Sequence, residues 1–251
     1  MAGIDIPDSW MGKPIEGALE RVLAKKIVVP VHTPILAPVT ASIINPKTYL
    51  RVPQYGNTII ATEETHRGKD MYETLEALAG EGLIMPSPRL FMTHWMNVKQ
   101  AAVDKTNALV YADGSTVSQA ETEKLWAYLS STDRSQFGGK PAWSWLNAQF
   151  RENNGVFYID DNLKVDSNTR GNKTLVPQGG FTKSVALLNP LLKDCYVDLK
   201  FTGVGLPIDE SQNQTYKQGE NIRFWHPRNA KVARFGAGSG GAVLNCGGVP
   251  T

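Results

Sequence analysis

Apolar positions follow two different periods along this chain, and each period predicts its own elements. Between Lys69 and Gly80, Met71, Leu75 and Leu78 fall on one stripe, which predicts an amphipathic helix closed by glycine. Leu90 to Val103 predicts a second helix, with His94 and Trp95 inside it. Ser118 stands before QAETEKLWAYLSS with Glu121 three residues on. That spacing predicts a capping box and a helix at 118–130 whose buried stripe is Leu125, Trp126 and Leu129. Pro141 suits a first helical position, and Trp143, Leu146 and Phe150 recur at helical spacing, so a further helix is expected at 141–152. A short helix is also expected from Ile15 to Lys26, on Ile15, Leu19, Val22 and Leu23.

Period-two alternation marks the rest. Short strands are expected between residues 27 and 62, in KIVVPV, ASII, TYLRV and NTIIAT, kept short or at edges by Pro30, Pro34, Pro38, Pro46 and Pro53. LVYADGSTVS reads as a strand and a turn at Asp113-Gly114, and GVFYI as another strand. Asp160 to Asn172 is polar and reads as loop, as does Asp209 to Glu220. In Cys195 to Phe201, Tyr196, Asp198 and Lys200 alternate with Cys195, Val197, Leu199 and Phe201, the pattern of a half-buried strand.

The clearest alternation lies in the last 30 residues. Phe235, Ala237 and Ser239 alternate with Arg234, Gly236 and Gly238; Ala242, Leu244 and Cys246 alternate with Val243, Asn245 and Gly247. Gly240-Gly241 between the two runs predicts a hairpin that pairs Phe235 with Cys246, Ala237 with Leu244 and Ser239 with Ala242. Packable side chains then share one face. The other face is nearly bare, and glycine inside strands demands support from the surrounding fold. Gly236, Gly238 and Gly241 match Gly-x-Gly-x-x-Gly, but no helix and no acidic residue about 20 positions on follow them, so a dinucleotide site is excluded.

Composition narrows the classes. A hydrophobic fraction of 41% is ordinary for a globular chain, and a net charge of +2 from 26 basic and 24 acidic residues argues against a nucleic-acid tract. No apolar run approaches the roughly 20 residues of a membrane span. MAGIDIPDSW lacks a basic start, so no signal peptide is expected and a cytoplasmic location is the default. Two cysteines, Cys195 and Cys246, do not make a disulfide framework and read as small buried hydrophobes. His32 and His94 are solitary, with no second ligand at helical spacing, so no metal and no cofactor are expected.

The order of elements, together with AWSWLNAQF, CYVDLKF with VGLP, and QGENIRFWHPRN followed by KVARF and the alternating tail, resembles the variable proteins of archaeal diversity-generating retroelements. The resemblance covers residues 85–251 and implies a C-type lectin-like α+β fold, with helices at 118–130 and 141–152 packed on antiparallel strands that include 195–201. It leaves 1–84 as a separate N-terminal segment of proline-broken strands and short helices. In that family, reverse transcription randomises adenine-containing codons near the 3′ end of the gene, and the changed residues bind ligands from a fixed scaffold.

Carried over, the framework is Trp225, Pro227, Val232, Phe235, Ala237, Ser239, Ala242, Leu244 and Cys246. The ligand-binding positions are Asn229, Lys231, Arg234, Gly236, Gly238, Gly240, Gly241, Val243, Asn245, Gly247, Gly248 and Val249. The implied partner is a protein or other macromolecule, not nucleic acid. The closing Gly-Phe-Arg strand usual in the family is absent from this sequence, as are the Glu-Pro-Asn and Trp-Asn-Asp triplets of calcium-dependent sugar binders. Two other functions compete: a structural or virion component, and an enzyme on a formylglycine-generating-enzyme-like fold. No Gly-x-Ser-x-Gly or His-Glu-x-x-His supports the enzyme.

Overall fold

The computed structural model describes residues 45–130, 140–178 and 184–250, and the backbone of 9–10 and 13–14. The helix expected at 15–26, the strands of KIVVPV and ASII, and His32 lie outside these residues. The chain divides into two units, Met1–Pro38 and Val39–Thr251. In the first, β1 (Ser9–Trp10) pairs antiparallel with β2 (Lys13–Pro14). The second unit is α+β and mostly strand. The boundary expected at residue 84 is not where the chain divides, because residues 45–84 are built into the second unit.

Three α-helices form where the periodicity puts them. Helix α1 (Met71–Gly80) opens with a capping box in which the Asp70 carboxylate accepts from the Glu73 N–H and the Glu73 carboxylate from the Asp70 N–H. Helix α2 (Pro88–Lys99) is capped by Ser87, which accepts from the Leu90 N–H. A π-helical turn at Gln100–Asp104 continues it. Helix α3 (Gln119–Ser130) carries the reciprocal Ser118–Glu121 box. His94 is 3% exposed, and burial holds its imidazole down to about 4, so it is a neutral core residue.

The hairpin β3 (Tyr49–Arg51) and β4 (Ile59–Ala61) follows the expected strands TYLRV and NTIIAT. The main sheet has seven strands: β5 (Ala142–Asn153), β6 (Val156–Asp161), β9 (Val185–Ala186), β10 (Cys195–Asp198), β11 (Asn221–Trp225), β12 (Lys231–Gly238) and β13 (Gly241–Gly248). Their order across the sheet is β10-β11-β13-β12-β5-β6-β9, with β11 and β13 parallel and every other pair antiparallel.

Two expectations are corrected. The helix expected at 141–152 is instead strand β5 (Ala142–Asn153). The segment satisfies both periods: Ala142, Leu146, Ala148 and Phe150 are buried at period two, and Trp143 and Trp145 sit together on the other side with ring centroids 5.0 Å apart. Pairing with β12 on one edge and β6 on the other decides for the strand. The polar stretch 160–172 is not all loop. Leu163–Ser167 forms β7 and pairs with β8 (Lys173–Pro177), because Val165 and Leu175 find an apolar cluster to lie against.

The sheet therefore separates two layers. On its inner face Phe224, Phe235, Leu244, Leu146 and Phe150 meet Phe91, Trp95, Trp126 and Leu129 of α2 and α3 in one core. Leu199 lies against that core, whereas Trp143, expected there as a helical residue, lies on the opposite face. A second cluster joins Met71, Leu75, Leu78 and Met85 to Val232, with Trp145 against it, so α1 covers one end of the outer face.

Candidate binding face

The C-terminal hairpin forms with its two faces as expected but with a different register. Phe235 pairs with Leu244, Ala237 with Ala242 and Gly238 with Gly241, so the turn is centred on Ser239-Gly240. Gly241 explains the shift. Its φ of +91° suits glycine, and a Cβ there would lie 2.2 Å from the Tyr216 ring. Tyr216 is itself held by donating from its hydroxyl to the Ser130 carbonyl. Moving the turn by one residue moves each partner by two, which leaves every side chain on its original face. Ser239, expected to point inward, is exposed in the turn.

Register carries the outer face across four strands. One row runs Arg223, Val243, Gly236, Trp143; the next runs Trp225, Asn245, Arg234, Trp145. The Arg223 guanidinium lies over the Trp225 ring at 5.5 Å, and that of Arg234 over Trp143 at 5.2 Å. Among the described residues no carboxylate pairs with either arginine. Burial holds the Arg234 guanidinium below the usual arginine range. The Trp225 indole N–H is buried and has no hydrogen-bond acceptor among the described residues.

Two sets of groups frame this face. Along the free edge of β5, Glu64 accepts from the Trp143 N–H and the Lys69 carbonyl from the Trp145 indole. Beside β11, Asp194 accepts from the His226 backbone and ring and from Arg228. Burial raises the Asp194 carboxyl, but the bonds from His226 and the charge of Arg228 outweigh that and hold it below the usual range.

The twelve expected binding positions divide. Arg234, Gly236 and Val243 lie on the outer rows and are half-buried, and Gly238 closes the hairpin beside Gly241. A Cβ on Gly236 would make ordinary contact with Val243 and the Ala142 carbonyl, and one on Gly240 would meet nothing. On Gly247 it would touch the Arg228 side chain, which can move. Val249 is exposed.

The others do not present free side chains on the face. Asn245 is 4% exposed and accepts from the Gly247 N–H. Gly241 is closed by Tyr216, and a Cβ on Gly248 would lie 3.0 Å from the Val232 carbonyl oxygen. Lys231 sits opposite Phe150, off the outer rows, and Asn229 accepts from the Glu152 N–H in the loop before β12. Trp143, Trp145 and Arg223 belong to the face and were missed. The Trp-x-Trp spacing was the available signal for the first two. Replacing Gly236 with Ser is expected to change stability by under about 1 kcal/mol, checked by urea unfolding.

Glu64 gives the rim a pH dependence. Burial raises its carboxyl to about 7, against the opposing effects of a Tyr128 hydrogen bond and the Arg67 charge. A raised carboxyl favours the protonated folded form. Its contribution to stability is present below about 4.5 and is lost as pH rises through about 7. The urea midpoint is expected to fall between pH 5 and pH 8, and Glu64→Gln is expected to flatten that fall.

A separate cleft of about 360 Å³ lies beside α2, between Tyr55, Arg89, Met92, Met96 and Phe201. It contains no acid–base or nucleophilic pair. Among the described residues no group of three or more His, Cys, Asp or Glu is arranged to hold a metal ion, and no helix is long and apolar enough to cross a membrane. Comparisons with protein-family models, curated proteins and solved structures found no match to this chain.

Proposed function

We propose that this chain is a ligand-binding protein. It presents the outer face of β11, β13, β12 and β5 to a macromolecular partner, on a C-type lectin-like scaffold whose C-terminal ribbon is diversified by a retroelement. One observation supports this reading above the others. Along β12 and β13, Phe235, Ala237, Ala242, Leu244 and Cys246 are buried, while Arg234, Gly236 and Val243 between them are partly open to solvent. Such a ribbon can change its outer residues without disturbing its core. Arg and Trp, which dominate protein interfaces, flank the small residues on both sides.

The enzyme reading has less support. Cys195 and Cys246 are free thiols, and burial raises both, so little of the reactive thiolate is present at neutral pH. A structural role draws on a different observation: Val156, Val185 and Leu188 are exposed on or beside β6 and β9 at one edge of the sheet, Leu188 at 88%. Assembly into many copies, measured by light scattering, would favour it.

The test of the retroelement reading is the DNA flanking the gene. A near-copy of the codons for residues 225–249 is expected, differing from the gene at adenines. If differences are found, they are expected at Gly236, Gly240, Val243 and Gly247 and not at Gly241. Flanking DNA without such a copy contradicts the diversification part of the reading.

A further inference from the structure

The outer face carries a charge pattern that specifies a kind of partner. Building on the ligand-binding reading, we infer that the present variant binds an acidic polypeptide segment in extended form, with carboxylates seated on Arg223 and Arg234. Each guanidinium lies over an indole, Arg223 on Trp225 and Arg234 on Trp143. Stacking leaves the edges of a guanidinium, where its N–H donors point, available to a carboxylate. Neither arginine has an ion pair or hydrogen bond among the described residues.

Arg234 is the sharper case. It is partly withdrawn from water without a countercharge, a situation that an incoming anion relieves. The acids near the face do not supply that anion. Asp194 is taken by Arg228 and His226. Glu64 is taken by Arg67 at the β5 edge. Asp198 lies on β10 at the margin and makes no ion pair with Arg223 among the described residues. The small residues between the arginines, Val243 and Gly236, leave a shallow path for an extended chain.

The spacing is also specified. Arg223 and Arg234 stand on strands separated by β13 and are offset by two residues. Two strand spacings and two residue rises place their backbones roughly 12 Å apart. On an extended peptide, residues four apart lie on one side and span about 13 Å. A ligand with Glu or Asp at i and i+4 matches that backbone separation.

The experiment selects twelve-residue peptides from a random library on the full chain. It also titrates three labelled probes: a Gly/Ser/Thr peptide with glutamates four apart, its lysine counterpart, and a twelve-nucleotide oligothymidine. Selected peptides are expected to be acidic with that spacing. The glutamate probe is expected to bind, weakening with salt, and to lose roughly tenfold in affinity with Arg223→Gln and again with Arg234→Gln. Unchanged melting curves must accompany those losses; Arg234→Lys, which keeps the charge, is expected to lose less.

Selected peptides that are neutral or basic, yet are lost on Val243→Glu, overturn the acidic partner and leave the ligand-binding reading standing. Binders indifferent to every outer-face change overturn both. Oligothymidine bound as tightly as the glutamate probe, through the same arginines, overturns the polypeptide partner. Failure of the glutamate probe to bind likewise counts against it.

Discussion

Alanine at Phe235 is expected to lower the unfolding free energy by about 3–5 kcal/mol. Phe235 is 1% exposed and lies within the inner row that runs Phe224, Leu244, Phe235, Ser144. Its ring is 4.8 Å from that of Phe91 and 6.4 Å from that of Trp95. Truncation leaves a cavity between the sheet and α2. Strand β12 cannot move in to fill it, because β13 and β5 hold it on both edges. Leu244→Ala, at a fully buried site, is expected to cost about 2–5 kcal/mol for the same reason. Val243→Ser, next to Leu244 but on the outer face, is expected to cost no more than about 1 kcal/mol. Urea unfolding of the three variants separates the faces; equal losses would mean that the ribbon has no free side.

The second large effect is expected at the turn, and it separates two adjacent glycines. Gly241→Ser places a side chain in the left-handed region and drives its Cβ into the Tyr216 ring. The backbone part alone is expected to cost about 1–3 kcal/mol. Overlap with Tyr216 adds to it, since that ring is anchored through its hydroxyl to the end of α3. Gly240→Ser, in open space, is expected to stay within about 0.5 kcal/mol of the parent. Thermal or urea unfolding distinguishes the two directly. A tolerant Gly241 would argue for the turn at Gly240-Gly241 instead of Ser239-Gly240.

What could be read from the sequence followed local chemistry. The Ser118–Glu121 box fixed the start of α3, and the stripe of Met71, Leu75 and Leu78 marked α1. The ribbon's two faces were legible because alternation survives any even shift of register. Its register was not legible, because the choice between Gly240-Gly241 and Ser239-Gly240 is made by Tyr216, which is 25 residues away in sequence. Strand β5 was misread as a helix because AWSWLNAQF satisfies both periods. Only its pairing with β12 and β6 resolves the ambiguity, and that is a long-range fact. The same misreading hid one of the four strands of the candidate face. On a helix at 141–152, Trp143 shares a stripe with Leu146 and Phe150, and nothing suggests that Trp143 and Trp145 flank Arg234.

Local pattern also failed where backbone geometry decides. Gly241 and Gly248 look as free as Gly236 and Gly240 in the sequence. Gly241 lies under a ring and Gly248 against the Val232 carbonyl, so neither has room for a side chain without movement of its neighbours. Asn245 has the outward parity of Arg234, but the neighbouring side chains cover it.

The measurement that bears most directly on the two-faced ribbon is the folded fraction of two saturation libraries, scored by protease resistance after heating. One randomises Gly236, Gly240, Val243 and Gly247; the other randomises Phe235, Ala237, Ala242 and Leu244. Most members of the first library are expected to remain folded, and few of the second. If the first library collapses as the second does, the outer residues are structural and the face is not one that can carry changing ligands.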